Sequence, residues 1–190
     1  MDNRMIYDRI FEKTDFSANG PDKGEYENCL FVNCSFSRVD LSGTDFFECR
    51  FSYCDFSMAK PVNTAFRDVV FEHCKLLGIP FDRSNGILLS FRFENCSLDF
   101  SSFFGMKLKA MHFKNCKLEG VDFRECDLKE AVFENCDLTG AVFENTVLER
   151  ADFRTAYNFS IDPEINRLRK ARFSMQGAAG LLEKYGIILE

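Results

Sequence analysis

The feature that most constrains this chain is an apolar residue at every fifth position. From Ile6 the series runs through Phe11 and Phe16, then Tyr26, Phe31, Phe36, Leu41, Phe46, Phe51 and Phe56, then Phe66, Phe71, Leu76 and Phe81. Only Pro21 and Pro61 interrupt it. From Leu88 it resumes and alternates Leu and Phe without error from Phe93 to Phe153. Of the 23 phenylalanines, 17 stand on this phase, so the repeat accounts for an aromatic content that includes no tryptophan.

Two residues before most of these positions stands a small one: Cys29, Cys34, Val39, Thr44, Cys49, Cys54, Ala59, and later Cys116, Val121, Cys126, Ala131 and Cys136. All 9 cysteines of the chain fall there. A period of five fits neither a helix nor a plain strand. It fits a short extended segment followed by a corner, because residues two apart in an extended chain point the same way. The small residue and the Phe or Leu then both face inward, and the residue between them faces out. That outward residue is often acidic, as at Asp15, Asp40, Asp45, Asp55, Asp122, Asp127, Asp137 and Asp152. Four such sides close a coil of about 20 residues, and stacked coils sit about 4.8 Å apart. The Leu/Phe alternation then puts Phe on two opposite sides and Leu on the other two.

Two places break the rhythm. Seven residues separate Phe81 from Leu88, so two extra residues fall around Asp82, Arg83, Ser84, Asn85 and Gly86, which is turn chemistry. An outward bulge is expected there, either a tolerated surface irregularity or a candidate contact loop for a partner. The stretch Ser17–Gly24 loses the pattern but keeps the phase, as a looser loop.

The C-terminal part leaves the repeat. Asp162-Pro163 reads as an N-cap and first helical residue. Ala171 and Phe173 return to the inward phase as one last side. Ser174 is placed to cap a final helix through about Tyr185, with Gly186 at its C-terminal stop. A solenoid needs a covered end. Leu181, Leu182, Tyr185, Ile187, Ile188 and Leu189 offer more apolar surface than a cap requires, which points to a homodimer through this tail. The expected division is therefore a repeat rod over residues 1–157 and a final coil with capping helix over 158–190.

The motifs AVFEN (131–135), CDLTG (136–140) and ADFRT (151–155) resemble the pentapeptide-repeat family, over roughly residues 6–157. The resemblance implies an all-β solenoid, a right-handed quadrilateral β-helix, here with a C-terminal α-helical cap. The tail sequence LLEKYGI is also similar to the dimerising tail of Qnr-type members. Those members imply a non-catalytic rod that imitates DNA, binds DNA gyrase or topoisomerase IV and protects it from quinolones. The alternative is a cytoplasmic scaffold for another protein partner.

Charge enters here. The net charge is −6, and residues 1–157 hold 26 acidic against 19 basic side chains. An acidic rod suits a basic DNA-binding saddle and disfavours direct nucleic-acid binding. No apolar run approaches a membrane span, and Met1–Tyr7 lacks the apolar core of a signal peptide, so a cytoplasmic location is expected.

Catalytic and metal chemistry are not expected. The cysteines face a packed interior, where a thiol acts as a small apolar group. Stacked pairs such as Cys29 with Cys49 could approach disulfide distance, but core packing is the simpler reading. His73 and His112 fall on outward phases with no nucleophile, acid pair or phosphate loop beside them. No cofactor is implied.

Overall fold

The computed structural model describes residues 4–87 and 89–187. A five-residue side leaves room for only two to four extended residues before the chain must turn. The strands are accordingly β1 (Met5–Tyr7), β2 (Ile10–Glu12), β3 (Gly24–Glu27), β4 (Leu30–Val32), β5 (Thr44–Phe47), β6 (Arg50–Ser52), β7 (Phe66–Arg67) and β8 (Val69–Glu72). The later ones are β9 (Phe91–Glu94), β10 (His112–Lys114), β11 (Val132–Glu134), β12 (Asp152–Phe153) and β13 (Arg172–Phe173).

Every pairing is parallel. Phe11 pairs with Phe31, Phe31 with Phe51, and Phe51 with Phe71, a constant step of one coil. With five residues per side, that step makes four sides. The first side carries β1, β3, β5 and β7. The second carries all nine of the other strands. The third and fourth are held by isolated bridges such as Ser35 to Asp55 and Ser102 to Asp122. Nine strands define eight intervals, so the second side is about 38 Å long at the parallel-strand spacing.

Each side bonds to the coil before it and the coil after it. Ser35 N donates back to Thr14 O at 3.0 Å, and Phe36 N donates forward to Asp55 O at 2.6 Å. Corners turn on a residue in the left-handed region, such as Asn33 (φ 53°), Glu48 (φ 51°) and Asn115 (φ 51°). Asparagine tolerates this conformation best among non-glycine residues. Its amides also stack: Asn115 Nδ2 donates to Asn95 Oδ1 at 3.0 Å, and Asn135 Nδ2 to Asn115 Oδ1 at 3.2 Å.

The outward aspartates close the same corners. Asp40, Asp55, Asp122, Asp137 and Asp152 each accept the backbone N–H two residues on, at 2.8–3.1 Å. Asp45 differs, accepting the N–H of Ala65 on the next coil at 2.7 Å. Much of the acidic excess thus serves the turn itself.

Inside, the second side presents phenylalanine at every level from Phe11 to Phe173. Neighbouring rings lie 4.6–5.6 Å apart and within 16° of parallel. Beyond residue 88 the fourth side is also phenylalanine (Phe103, Phe123, Phe143), while Leu108, Leu128, Leu98 and Leu118 fill the first and third. The opposite-side arrangement expected from the alternation holds there. Before residue 88 it does not: three sides are aromatic, and the fourth carries buried Leu41 between buried Pro21 and Pro61. Pro21 inside confirms that the 17–24 stretch keeps its phase.

The core changes pattern at the two-residue insertion, and its place is a correction. Asn85 still bridges Ala65 one ordinary coil below, whereas Phe91 pairs with Val69. The extra residues therefore lie between Asn85 and Phe91, beyond Asp82–Asn85. Leu88 itself is outside the described residues. Phe91 stands where the repeat calls for a small side chain and packs on Phe81 (5.2 Å), Phe66 (5.4 Å) and Phe93 (5.4 Å).

The C-terminal α-helical cap is also corrected. Asp162 accepts Glu164 N at 2.8 Å, but only turns follow. Ser174 Oγ does accept Gly177 N, at 2.9 Å. What it begins is a pair of 3-10 turns, Gly177–Leu181 and Glu183–Tyr185, ended by Gly186 at φ 62°. The cause is contact with the core. A Cβ at Gly180 would lie 2.2 Å from Phe159 O, so this backbone is pressed flat on Phe159, and Ile161 N donates to Gly180 O at 3.0 Å. Gly177 and Gly180 also weaken any helix over this span.

Candidate functional site

The interior is packed with buried side chains among the described residues. All nine cysteines are buried and free of disulfides. Six form one column above the third side: Cys34, Cys54, Cys74, Cys96, Cys116 and Cys136. Each thiol donates to the carbonyl of a second-side phenylalanine, as Cys54 does to Phe31 O at 3.4 Å and Cys74 to Phe51 O at 3.3 Å. Burial pushes the thiols of Cys49 and Cys126 up to about 12, which suppresses the reactive thiolate. The histidines face outward as expected. His73 stacks on Tyr53 (centroids 4.7 Å, 3° apart), and His112 Nε2 lies 3.0 Å from Glu134 Oε2.

The shoulder at the insertion is the least regular stretch of the wall. Asp82 and Arg83 lie on a 3-10 turn, Phe81–Arg83, which Ser84 closes by donating from N and Oγ to Phe81 O at 2.9 and 2.5 Å. Asn85 Oδ1 accepts Ile87 N at 3.0 Å and aims the chain outward. A shallow depression of about 380 Å³ follows, lined by Asp82, Ser84, Gly86, Leu89, Phe104 and Lys107. Ile87 (66% exposed) and Phe104 (43% exposed) stand at this shoulder in water. The sequence pointed to 82–86, but Phe104, one coil above Asp82, was not singled out; its outward phase and size were the available signal.

The tail residues divide. Leu181 packs half-buried against the core, whereas Leu182, Tyr185 and Ile187 are exposed. Ile188 and Leu189 lie outside the described residues. Tyr185 OH donates to Glu164 Oε1 at 2.8 Å, and Lys184 Nζ bridges Asp162 and Glu164 at 2.7 Å each. Part of the tail therefore fastens the cap.

Charge is unevenly laid along the first side. Its outward residues over Met5–Asp68 include the carboxylates of Asp8, Glu25, Glu27, Asp45, Glu48 and Asp68 against one base, Arg67, which lies 4.8 Å over the Phe47 ring. Over 107–170 the same side carries Lys107, Lys109, Lys129 and Arg150, then Arg167, Arg169 and Lys170, against Asp127, Glu130 and Glu149. Lys109 and Arg150 are paired there, to Asp127 at 3.3 Å and Glu130 at 2.8 Å. The uncharged residues Ile87, Leu89 and Ser90 separate the halves.

A closed, four-sided parallel β-solenoid with a five-residue side and a filled interior defines the class of this molecule. The match to known families is as specific: "pentapeptide repeats (8 copies)" covers residues 27–60 and "pentapeptide repeat region" covers residues 106–174. The chain belongs to the pentapeptide-repeat proteins.

Among solved structures, it is similar to full-length QnrB1, a plasmid-mediated fluoroquinolone resistance protein. The identity is 22%, with 97% of this chain and 100% of that one covered and a TM-score of 0.47. A trypsin-treated QnrB1 gives 21% identity, 98% and 100% coverage and a TM-score of 0.49. HetL of the cyanobacterium Nostoc, involved in heterocyst differentiation regulation, gives 15%, 92% and 90% coverage and 0.33. Comparison with curated protein sequences gives no match. Among the described residues no helix is long and apolar enough to cross a membrane.

Proposed function

We propose that this chain is a non-catalytic, protein-binding rod. The observation that carries the reading is the filled interior. Phe31, Phe51, Phe93, Phe113 and Phe133 are each 0% exposed, so little of the core is left to receive a small ligand. Recognition then falls to the outer walls, where short ladders hold side chains at fixed spacing on a rigid backbone. The shoulder carrying Asp82 and Phe104 is the contact we assign to a partner, because it combines apolar and charged groups around a depression.

Two partner readings follow. The likeness of the repeat and tail sequences to Qnr-type members supports DNA gyrase or topoisomerase IV, with the rod acting as a DNA mimic and joined as a homodimer through Leu182, Tyr185 and Ile187. The divided charge of the first side counts against a DNA mimic, since a duplex is uniformly negative along its length, and so toward the scaffold reading. A gyrase supercoiling assay with the protein titrated in, with and without a fluoroquinolone, separates them. Inhibition or drug rescue that is lost in Phe104→Ala supports the gyrase reading. No effect up to high micromolar protein removes it and leaves the scaffold.

A further inference from the structure

We infer that the first side is a self-recognition surface on which a second copy of this chain lies antiparallel, acidic half against basic half. The charge division described above is self-complementary. In the acidic half six carboxylates face one base, and in the basic half seven bases face three acids. Turning a second rod end for end places each acidic half opposite a basic half, twice over, and a two-fold axis relates the two contacts. The axis falls near the uncharged level of Ile87, Leu89 and Ser90, where Ile87 is 66% exposed.

Three observations favour a copy of this chain over a different partner. Both signs are present in comparable number on one face, which a uniformly charged ligand would not match. Among the described residues, Glu27 and Glu48 in one half and Lys107, Lys129, Arg169 and Lys170 in the other take part in no ion pair, so they are available to a second molecule. Glu25, Glu27 and Asp45 are held on the paired strands β3 and β5, and Asp8, Glu48 and Asp68 on repeated left-handed corners, so docking needs little rearrangement. A shared axis closes the pair at two copies, whereas a parallel stagger would leave an open chain. This contact is separate from any contact through the tail.

Sedimentation velocity on the intact protein tests the inference. The pair should be present at low ionic strength and dissociate as the Debye length falls to a few ångströms near 1 M salt. Glu27→Lys/Glu48→Lys/Asp68→Lys should weaken self-association about tenfold or more, and so should Lys129→Glu/Arg169→Glu/Lys170→Glu. An equimolar mixture of the two triple variants should regain a dimer, because each then faces its opposite. Leu182→Asp/Ile187→Asp should retain the salt-sensitive pair, which distinguishes this contact from a tail dimer. The inference is overturned if wild-type size is independent of salt, if the charge variants associate like wild type, or if the mixture stays monomeric while circular dichroism shows both variants folded.

Discussion

At the scale of the residue, the molecule is governed by which side chains tolerate the inside of a coil. Phe113 is 0% exposed and stacks on Phe93 and Phe133 at 5.6 and 5.1 Å. Phe113→Ala should therefore cost about 3–5 kcal/mol in chemical denaturation, since neighbouring coils cannot collapse into the gap. The buried thiols lead to a different test. With burial raising Cys49 and Cys126 to about 12, a thiol reagent should modify the native chain slowly at neutral pH and all nine cysteines on unfolding. Rapid native labelling would contradict the packing. These inward positions were legible because a five-residue period exposes them. Phe91 and Asn166 were not. Phe91 is the one bulky aromatic in a small-residue column, forced by a local register change. Asn166 occupies an inward position with its amide donating to Phe143 O at 2.8 Å and accepting Thr146 N at 2.9 Å. A buried asparagine that replaces missing backbone partners leaves no periodic trace.

At the scale of the element, corners and cap carry the stability that pH and glycine control. Asp40 is held below the usual carboxylate range by hydrogen bonds from Ser42, and Asp152 by those from Arg154. A depressed native value means that the ionised turn stabilises the fold above the unfolded carboxylate value, near 4. That contribution is lost as pH falls through the still lower native values. The thermal midpoint should thus be flat from about pH 7 to 5 and decline below about 4. A midpoint that rises on acidification would show that these turns do not depend on ionised aspartate. The cap was legible in its cues and misread in its form. Ser174 and Gly186 act as signalled, but the flat approach of Gly180 to Phe159 O is a tertiary constraint that local cues cannot carry. Gly180→Ala should lower the unfolding midpoint, because a Cβ there would lie 2.2 Å from that carbonyl. An unchanged midpoint would mean that the cap moves freely off the core.

At the scale of the whole molecule, each coil repeats the one below at a fixed step, with one irregular level. Removing residues 112–131, one whole coil, would join Met111 to Val132 and keep every later residue in its column. Such a chain should fold with the same circular dichroism and a length shorter by about 4.8 Å in small-angle scattering. Removing 18 residues instead leaves a two-residue surplus like the one between Asn85 and Phe91, and should fold with a lower unfolding midpoint than the 20-residue deletion. The register that produces this behaviour also makes the wall a ruler. A position along the rod is set by counting coils, so the distance between the shoulder and the cap is quantised in steps of one strand spacing. Gain or loss of whole coils during descent would move those two landmarks apart or together without disturbing either. A partner that touches both would then be selected by span, in the way a key is cut to depth.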